Sequence, residues 1–456
     1  MLIDRRTFLF SSLINVRAKR KPSDVWTEYP TRTVGDLAGF RPGGNAPACG
    51  RYGGRKDRRV KATGFFRAEK IRDRWWMVDP EGYLFLNVGV VSVTPGRSRR
   101  NREALIRKFG SNEKWAEEAT WLLRKYEFNC LGNWSLNEAL RKVQNPLPYT
   151  ASTNFMGSFG RKLKITYQQP GHMGYPNDVI PVFHPEFEEF CDGYAREVTA
   201  RKDDPLLMGY FSDNELPASV GVLEKSLALD ATDARVAPGR EAALTWIGQR
   251  KGARVPVADL TERDKDAYLG HLYERYMEVT TRALRKYDPN HLCLGPRIHG
   301  QSLRSPGVLR ACGRHLDVIA ANIYWQWSLD AAMLEMWKKE AGKPFVVTEF
   351  YAKGMDAGFA NITGAGWTVP TQKDRALFYE NFALSLLESK QFAGWHWFKY
   401  MDNDPEDLTT DPSNRDSNKG IVKIDYEPYS ALLEPMKAFN REVYRLADYF
   451  DKGGGA

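Results

Sequence analysis

Short apolar runs alternate with amphipathic stretches along most of the chain after residue 82. The apolar runs predict eight strands, at residues 83–91, 128–131, 149–154, 206–211, 292–294, 318–323, 345–347 and 394–398. Helical periodicity lies between them at 102–126, 185–201, 264–287, 329–341 and 372–390, and again at 429–449. Near-continuous apolar strands separated by helices indicate a parallel sheet that is covered on both faces. Eight of them predict an α/β protein, a (β/α)8 TIM barrel that the last helix closes.

A doubly wound open sheet is the alternative architecture. It would need a Gly-rich phosphate-binding loop after an early strand, and Gly89-Val90-Val91-Ser92 is not such a loop. Ahead of the barrel, residues 1–60 predict an irregular or β-rich arm, and residues 61–82 predict a hairpin with its turn at 79–82. The chain is therefore divided into a basic arm (1–60) and a barrel (61–450). The barrel includes the hairpin and an insertion at about 216–264, which follows a strand and so belongs to the C-terminal face.

Composition narrows the class of protein. Hydrophobic residues make up 42% of the 456 residues and charged residues 27%, values that are typical of a folded globular chain. No apolar run reaches the roughly 18 residues that a membrane-spanning helix needs. The five cysteines are widely spaced and form no Cys-x-x-Cys pair, so neither a disulfide framework nor a zinc site is predicted.

The net charge of +9 is unevenly distributed. Residues 1–75 carry +11, whereas the remaining 381 residues carry −2. A nucleic-acid-binding protein would show a basic face on its folded domain together with a recognition motif. Neither is found, so no nucleic acid is predicted as a partner. A solvated arm is the favoured interpretation, and contact with a sulfated polysaccharide, a membrane surface or the export machinery also fits the charge.

The N-terminus bears on the location of the protein. Arg5-Arg6 followed by Thr7-Phe8-Leu9 resembles a twin-arginine export signal. The apolar stretch after it is short, and no Ala-x-Ala cleavage site follows. If the segment is a signal, the protein is periplasmic or extracellular. If it is not, the protein is cytoplasmic.

Barrel enzymes place their catalytic side chains at the C-terminal ends of strands, and two carboxylates meet this condition. Glu215 ends the segment Leu-Leu-Met-Gly-Tyr-Phe-Ser-Asp-Asn-Glu at the fourth strand, and Glu349 ends Pro-Phe-Val-Val-Thr-Glu at the seventh. Glycosidic cleavage requires one acid that protonates the leaving oxygen and one carboxylate that attacks the anomeric carbon. The pair therefore predicts a glycosidase site across a cleft.

Other polar and aromatic residues follow strand ends and are candidates for binding a substrate. They are Asn133 and Trp134 after strand two, Arg297 and His299 after strand five, Asn322 and Tyr324 after strand six, and Trp397 at the end of strand eight. Asn322 and Tyr324 share one face of their strand, as expected if both point inward. Trp397 is predicted as a floor on which a sugar ring stacks. For Arg297 and His299 a purely structural role is the alternative.

An Asn-Glu pair closing strand four together with a Glu closing strand seven resembles the retaining glycoside hydrolases of clan A. Several longer segments resemble the β-agarases of glycoside hydrolase family 50, over roughly residues 60–445. They are RWWMVDPEGYLFLNVGVVSV (74–93), FNCLGNWS (128–135), DPLLMGYFSDNELP (204–217), YDPNHLCLGPR (287–297), VVTEFYAKGMDAG (346–358) and GWHWFKYMDND (394–404). The chain departs from the family pattern at Ala352-Lys353-Gly354-Met355-Asp356, where typical members carry a His or an acidic residue.

The resemblance implies a role for four residues. Glu215 would be the general acid/base, with a pKa raised by burial or by the neighbouring carboxylate. Glu349 would be the ionised nucleophile. Asn214 would hydrogen-bond the 2-hydroxyl of the sugar, and Tyr324 would hold or tune the nucleophile. The expected activity is retaining hydrolysis of β-galactosidic linkages in agarose or a related, sulfated or unsulfated, galactan.

Two alternatives stay open. An exo-β-galactosidase or another clan A exo-β-glycosidase would keep the same machinery and act on a different sugar. A barrel that binds polysaccharide without cleaving it would have no need of two carboxylates at strand ends. Because two carboxylates suffice for the chemistry, no cofactor and no metal are predicted, and the expected partner is a polysaccharide or oligosaccharide substrate.

Overall fold

The centre of the protein is a closed ring of eight parallel strands. The computed structural model describes residues 13–252, 256 and 259–454. The strands of the ring are β1 (Asn87–Val90), β2 (Cys130–Leu131), β3 (Tyr149–Ser152), β4 (Leu207–Phe211), β5 (Leu292–Gly295), β6 (Ile319–Asn322), β7 (Phe345–Phe350) and β8 (Phe392–Trp397). Neighbouring strands pair in parallel in the order β5-β4-β3-β2-β1-β8-β7-β6. Ile298, just past β5, bridges Ala321 of β6 and closes the ring. The predicted (β/α)8 barrel is confirmed.

The strands are apolar on both faces because both faces are buried. Side chains such as Met208, Val318 and Val346 fill the interior of the barrel. Side chains on the other face of the strands, such as Val347 and Trp395, pack outward against the helices. This double burial explains why the sequence shows continuous apolar runs instead of an alternating pattern.

Thirteen α-helices lie in the described part of the chain, and most surround the barrel. They are α1 (Arg99–Phe109), α2 (Asn112–Lys125), α3 (Asn137–Leu140), α4 (Phe155–Lys162), α5 (Phe187–Val198), α6 (Val222–Leu227), α7 (Ala237–Lys251), α8 (Glu262–Tyr287), α9 (Pro306–His315), α10 (Ala331–Ala341), α11 (Gln372–Ser389), α12 (Ser430–Asn440) and α13 (Val443–Asp451).

Two of the predicted helices are each broken into two. The predicted helix at 102–126 is α1 followed by α2, because Gly110 ends α1 at a φ of +79° and the Ser111 hydroxyl caps α2. The predicted helix at 429–449 is α12 followed by α13. The ten-residue helix α9, which lies between β5 and β6, was not predicted from the sequence.

The N-terminal region is β-rich. The strand Ile14–Ala18 pairs with Thr27–Thr31, and Val16 and Ala18 are buried in the main core. The hairpin is therefore anchored on the core through Val16 and Ala18, while most of its residues, including Arg17, Arg20 and Lys21, are exposed as expected of a solvated arm. A four-stranded antiparallel sheet follows, ordered Arg55–Arg59, Tyr83–Phe85, Arg74–Val78 and Arg67–Ile71.

The predicted hairpin at 61–82 differs from the structure in its turn. Arg67–Ile71 and Arg74–Val78 are joined through Arg72, which has a φ of +56°. The turn at 79–82 connects the second of these strands to Tyr83–Phe85, and the Asp79 carboxylate accepts hydrogen bonds from the backbone N–H groups of Glu81 and Tyr83. The predicted strand at 83–91 is thus two strands, one in this sheet and one, β1, in the barrel.

Loops at the C-terminal ends of the barrel strands carry additional elements. The insertion after β4 holds α6, α7 and the start of α8. A small hairpin, Tyr167–Gln169 with His172–Gly174, follows β3, and Ala352–Gly354 pairs with Trp367–Val369 after β7. Among the described residues, no helix is both long and apolar enough to cross a membrane. The twin-arginine-like segment lies outside the described residues, and the division of the chain at residue 60 stays a prediction.

Candidate active site

A cavity of about 330 Å³ lies at the C-terminal ends of the barrel strands. Its walls carry both strand-end carboxylates, Glu215 and Glu349, together with Asn214 and Tyr324. Four residues at strand ends, separated along the chain by up to 135 positions, therefore share one small space.

The loop after β4 is held rigidly, and this orients Glu215. The buried carboxylate of Asp213 accepts hydrogen bonds from the backbone N–H groups of Met156 and Gly157, at the start of α4, and from the Tyr276 hydroxyl. Two residues later the Glu215 N–H donates to the Pro296 carbonyl at 3.0 Å. Glu215 itself has a φ of +49°, a left-handed conformation that is sparsely populated and that tends to occur at functional sites.

The Glu215 carboxylate has one neutral side-chain donor. The Asn322 amide donates to Glu215 Oε1 at 2.8 Å. The orientation of that amide is set by Thr348 of β7, whose hydroxyl donates to Asn322 Oδ1 at 2.8 Å. Asn322 therefore joins the end of β6 to the end of β4.

The Glu349 carboxylate has two donors, one of them charged. Arg297 Nη2 donates to Glu349 Oε1 at 2.6 Å, and the Tyr324 hydroxyl donates to Oε2. Arg297 is fully buried and also donates from Nη1 to Asn214 Oδ1 at 2.8 Å. Its guanidinium lies 4.5 Å from the centre of the Trp134 ring. Arg297 is thus a bridge between the two strand ends that carry the glutamates.

These contacts give the two glutamates different tendencies to ionise. Burial raises the pKa of Glu215 above its ordinary value, and the Asn322 hydrogen bond and the charge of Arg297 oppose this shift. Burial also raises the pKa of Glu349, against the opposing effects of Arg297 and the Tyr324 hydrogen bond. Because a guanidinium and a phenol stabilise the carboxylate of Glu349, whereas Glu215 has only an amide, Glu349 is the member of the pair that ionises first.

Two histidines adjoin Glu215. One potential ligand atom each from His172, Glu215 and His299 lie within 4.8 Å of one another. Burial lowers the pKa of His299 to about 4 and also lowers that of His172, so both rings are neutral near pH 7. Neutral rings of this kind suit hydrogen bonds to sugar hydroxyls. The same set of donor atoms is chemically capable of holding a divalent cation, whereas the sequence predicted no metal.

The hairpin that carries His172 is anchored across the cavity. The Asp411 carboxylate, in the loop after β8, accepts hydrogen bonds from the Gly171 N–H at 3.0 Å and from the Gln168 side chain at 3.0 Å. The loops after β3 and β8 therefore meet above the site.

The structure brings most of the predicted site residues together. Glu215, Glu349, Asn214, Asn322, Tyr324 and Arg297 form one connected network, in which Arg297 has a bridging position that the sequence could not assign. Trp134 lines the cavity with 43% of its surface exposed, and His299 lies beside Glu215. Asn133 is buried, accepts a hydrogen bond from the Ser152 hydroxyl and lines a neighbouring cavity.

Trp397 is the exception. Its side chain is fully buried, its Nε1 donates to the Lys419 carbonyl at 3.1 Å, and its ring packs on Phe350 and Tyr379. The prediction of a stacking floor at Trp397 is wrong, because strand alternation turns His396 into the barrel and Trp397 outward toward the helices.

The residues of the cavity that were not predicted include Tyr351, Phe398 and Lys419. Tyr351 lies two positions beyond Glu349, so strand alternation could have identified it. Phe398 directly follows the last residue of β8. Lys419 lies in a long loop without a recognisable motif, and no local signal marks it.

The site continues on both sides of Trp134. Two cavities of about 390 Å³ each adjoin it, one toward His172 and Asn133 and the other toward Lys399 and Asp404. All three cavities share Trp134. The arrangement forms an extended cleft with the two glutamates near its middle, and such a cleft suits a chain-like ligand.

The site is a pair of buried glutamates at the ends of β4 and β7 in a parallel eight-stranded barrel, the arrangement that the resemblance seen in the sequence implied. Comparisons with known proteins agree. No family model matches the sequence. β-Agarase B of Vibrio sp. strain JT0107 is 25% identical over 523 aligned positions, which cover 93% of this chain and 53% of that protein. β-Agarase A of the same strain is 25% identical and covers 75% of this chain and 37% of that protein.

Solved structures extend the comparison. The crystal structure of BpGH50 has a TM-score of 0.85 and 29% sequence identity, and the match covers 96% of each chain. The structure of an exo-β-agarase has a TM-score of 0.73 at 22% identity over 89% of this chain, which shows a shared fold. The chain resembles the β-agarases of glycoside hydrolase family 50. It spans about half, or less, of the length of the curated relatives that it matches.

Proposed function

We propose that this chain is a retaining glycoside hydrolase that cleaves β-galactosidic linkages in agarose or a related galactan. The observation that carries the proposal is the pair of buried glutamates in one cavity with different hydrogen-bond donors. Two carboxylates, one ready to ionise and one held protonated, are the machinery of this reaction. The choice of sugar rests on the resemblance to β-agarases A and B.

The mechanism follows from the contacts of each group. Glu349 attacks the anomeric carbon and forms a glycosyl ester, while Glu215 transfers its proton to the departing glycosidic oxygen. Glu215, now ionised, takes a proton from water, and the resulting hydroxide displaces Glu349 from the same carbon. The net result is hydrolysis of one glycosidic bond with retention of configuration.

The neighbouring residues support these steps. The carbonyl oxygen of the Asn214 amide accepts from Arg297, so its NH2 group is left to donate to the 2-hydroxyl of the sugar. Arg297 and Tyr324 each hold one oxygen of Glu349, which fixes the plane of the carboxylate for attack and stabilises it when it leaves.

Product analysis tests the proposal. The full chain is incubated with agarose, neoagaro-oligosaccharides and a panel of aryl β-glycosides, and the anomer released is followed by NMR. Release of β-configured oligosaccharides from agarose is the expected result. Activity on a single aryl glycoside alone would move the substrate to that of another clan A exo-β-glycosidase. Binding of agarose without turnover of any compound would identify a non-catalytic polysaccharide-binding barrel.

We also propose that the protein is exported, on the strength of Arg5-Arg6 in its twin-arginine-like context. The chain is produced with Arg5→Lys and Arg6→Lys together, and the periplasmic and cytoplasmic fractions are compared with those of the parent. Retention of the double variant in the cytoplasm is expected. Equal distribution of the two proteins would contradict export by this route.

A further inference from the structure

Lys419 is a buried lysine in the wall of the catalytic cavity, on the side of β7 and β8. Its Nζ donates to the Ser413 carbonyl at 2.7 Å and to Asn414 Oδ1 at 2.8 Å. It also lies 5.0 Å from the centre of the Tyr351 ring and 5.4 Å from that of Phe398. An ammonium has three N–H donors, so two are used and one is left.

Lys419 has no ion pair with a carboxylate among the described residues, and the same holds for its neighbours Lys353 and Lys399. The Lys353 ammonium donates hydrogen bonds only to backbone carbonyl oxygens, such as that of Asn361 at 3.2 Å. Lys399 donates to Asn403 Oδ1. The three ammonium groups repel one another, and burial together with this repulsion lowers the pKa of Lys419 well below its ordinary value. Such an arrangement is costly unless an anion arrives to balance it.

The acids nearest to these lysines are engaged elsewhere. Asp402 accepts from the backbone N–H groups of Lys419 and Gly420, from Asn418 and from the Tyr429 hydroxyl. Asp411 holds the hairpin after β3, as described above. Glu349 is bound by Arg297 and Tyr324. The third N–H of Lys419 is therefore available to an anionic ligand, whose charge would favour the protonated form of this lysine.

Positive charge continues along the rim of the cleft on the same side. The Arg20 guanidinium lies 5.2 Å from the centre of the Trp367 ring and donates to the Trp325 carbonyl at 3.5 Å. Trp367 is two residues from Ala365, which lines the catalytic cavity. Trp325, the residue after Tyr324, has 44% of its surface exposed. The basic arm is thus docked beside the substrate-binding face, with an exposed aromatic ring next to it.

We propose that Lys419 forms an anion-binding subsite of the catalytic cleft, and that the substrate is a galactan bearing sulfate ester or carboxylate groups. The proposal rests on the proposed function and narrows its substrate class. A sulfate ester or carboxylate on a sugar bound next to Tyr351 would accept a charge-assisted hydrogen bond from the third N–H of the buried Lys419. The rim cations would attract the charged chain at longer range.

Binding to an inactive variant tests the subsite apart from catalysis. The full chain carrying Glu349→Gln is titrated with galactan oligosaccharides of one length: unsubstituted, sulfated at O2, O4 or O6, or oxidised to a carboxylate at C6. At least one anionic form is expected to bind about tenfold or more tightly than the neutral form, with an affinity that falls as ionic strength rises. Comparison of the sulfated with the carboxylated oligosaccharides identifies which of the two anionic groups the subsite binds.

Variants at Lys419 assign the effect to this side chain. Lys419→Met removes the charge at similar length and is expected to abolish the preference for the anionic form. Lys419→Arg keeps the charge and is expected to retain part of the preference for the anionic form. Lys339→Met is the matched control, because Lys339 is 82% exposed on α10 and its loss changes the net charge equally. Thermal melting of each variant separates loss of the subsite from loss of the fold.

Two results would overturn the proposal. In the first, no anionic oligosaccharide binds more tightly than the neutral one. In the second, Lys419→Met weakens the binding of both forms equally, as expected if Lys419 only anchors the 413–414 loop. These outcomes are independent of the proposed function, which fails instead if no galactan is hydrolysed by the parent chain while the anion preference of the Glu349→Gln variant persists.

Discussion

The ends of β4 and β7 each place a glutamate in the same cavity, but the two glutamates differ in backbone conformation and in their hydrogen-bond donors. Glu215 lies on a loop with a left-handed backbone and receives one amide hydrogen bond. Glu349 lies within β7 and accepts hydrogen bonds from a guanidinium and a phenol. Both are nearly fully buried. The comparison teaches that the donors around a carboxylate, and not its burial, decide which of the two ionises first, which is the difference that the proposed roles of acid and nucleophile require.

Removing the carboxylate at β7 gives the largest expected effect. Glu349→Ala should lower kcat by about 10⁴-fold or more, because the covalent intermediate can no longer form. Added azide should restore turnover and yield a glycosyl azide of inverted configuration. Glu335→Gln, on the exposed face of α10, is the control and should leave kcat unchanged. A retained product from Glu349→Ala with azide would contradict the assignment of Glu349 as nucleophile.

Removing the carboxylate at β4 should give an effect that depends on the leaving group. Glu215→Ala should lower kcat/KM by about 10³-fold on an oligosaccharide, since an alkoxide leaves poorly without a proton. On a dinitrophenyl β-galactoside the loss should be about tenfold or less, because that leaving group needs no acid. The basic limb of the pH profile should also disappear. Equal losses on the two substrates would show that Glu215 is not the acid.

Substitution of Arg297 tests the charged donor at Glu349. Arg297 holds the pKa of Glu349 down, and activity is lost as the pH falls through that pKa. Arg297→Met should therefore raise the pKa of Glu349 and move the acidic limb to higher pH, with a loss of kcat of about 10²-fold at the optimum. The pH dependence of kcat/KM measures both. An acidic limb that stays in place would mean that the Tyr324 hydrogen bond alone sets the ionisation of Glu349.

Substitution of Asn322 tests the neutral amide donor at Glu215, and its expected effect on kcat is the smallest of the four. The Asn322 amide holds the pKa of Glu215 down, and activity is lost as the pH rises through that pKa. Asn322→Ala should raise the pKa of Glu215, move the basic limb to higher pH and lower kcat by about tenfold. Thr348→Val, which removes only the hydroxyl that orients Asn322, should shift the same limb less. A shift of the acidic limb instead would reverse the two roles.

The sequence predicted the elements that depend on local pattern. Eight apolar runs indicated the eight barrel strands, and the glutamates at two of their ends indicated the site. Errors arose where a single residue overrode the periodicity, as at Gly110, which divides the helix at 102–126. The strand at 83–91 was divided for a different reason, because its first half pairs with the N-terminal sheet and its second half with the barrel.

The sequence by itself determined the barrel and the positions of Glu215 and Glu349, because strand periodicity and the polarity of parallel strands are encoded locally. Only the tertiary structure decided which side chains meet these glutamates. Asn322 reaches Glu215 from 107 residues away, and Arg297 reaches Glu349 from 52. It also turned Trp397 away from the cleft and brought Lys419 into it. Such contacts form only when the whole ring closes. The strength of a hydrogen bond or a charge interaction depends on the spatial distance between the groups and not on their separation along the chain.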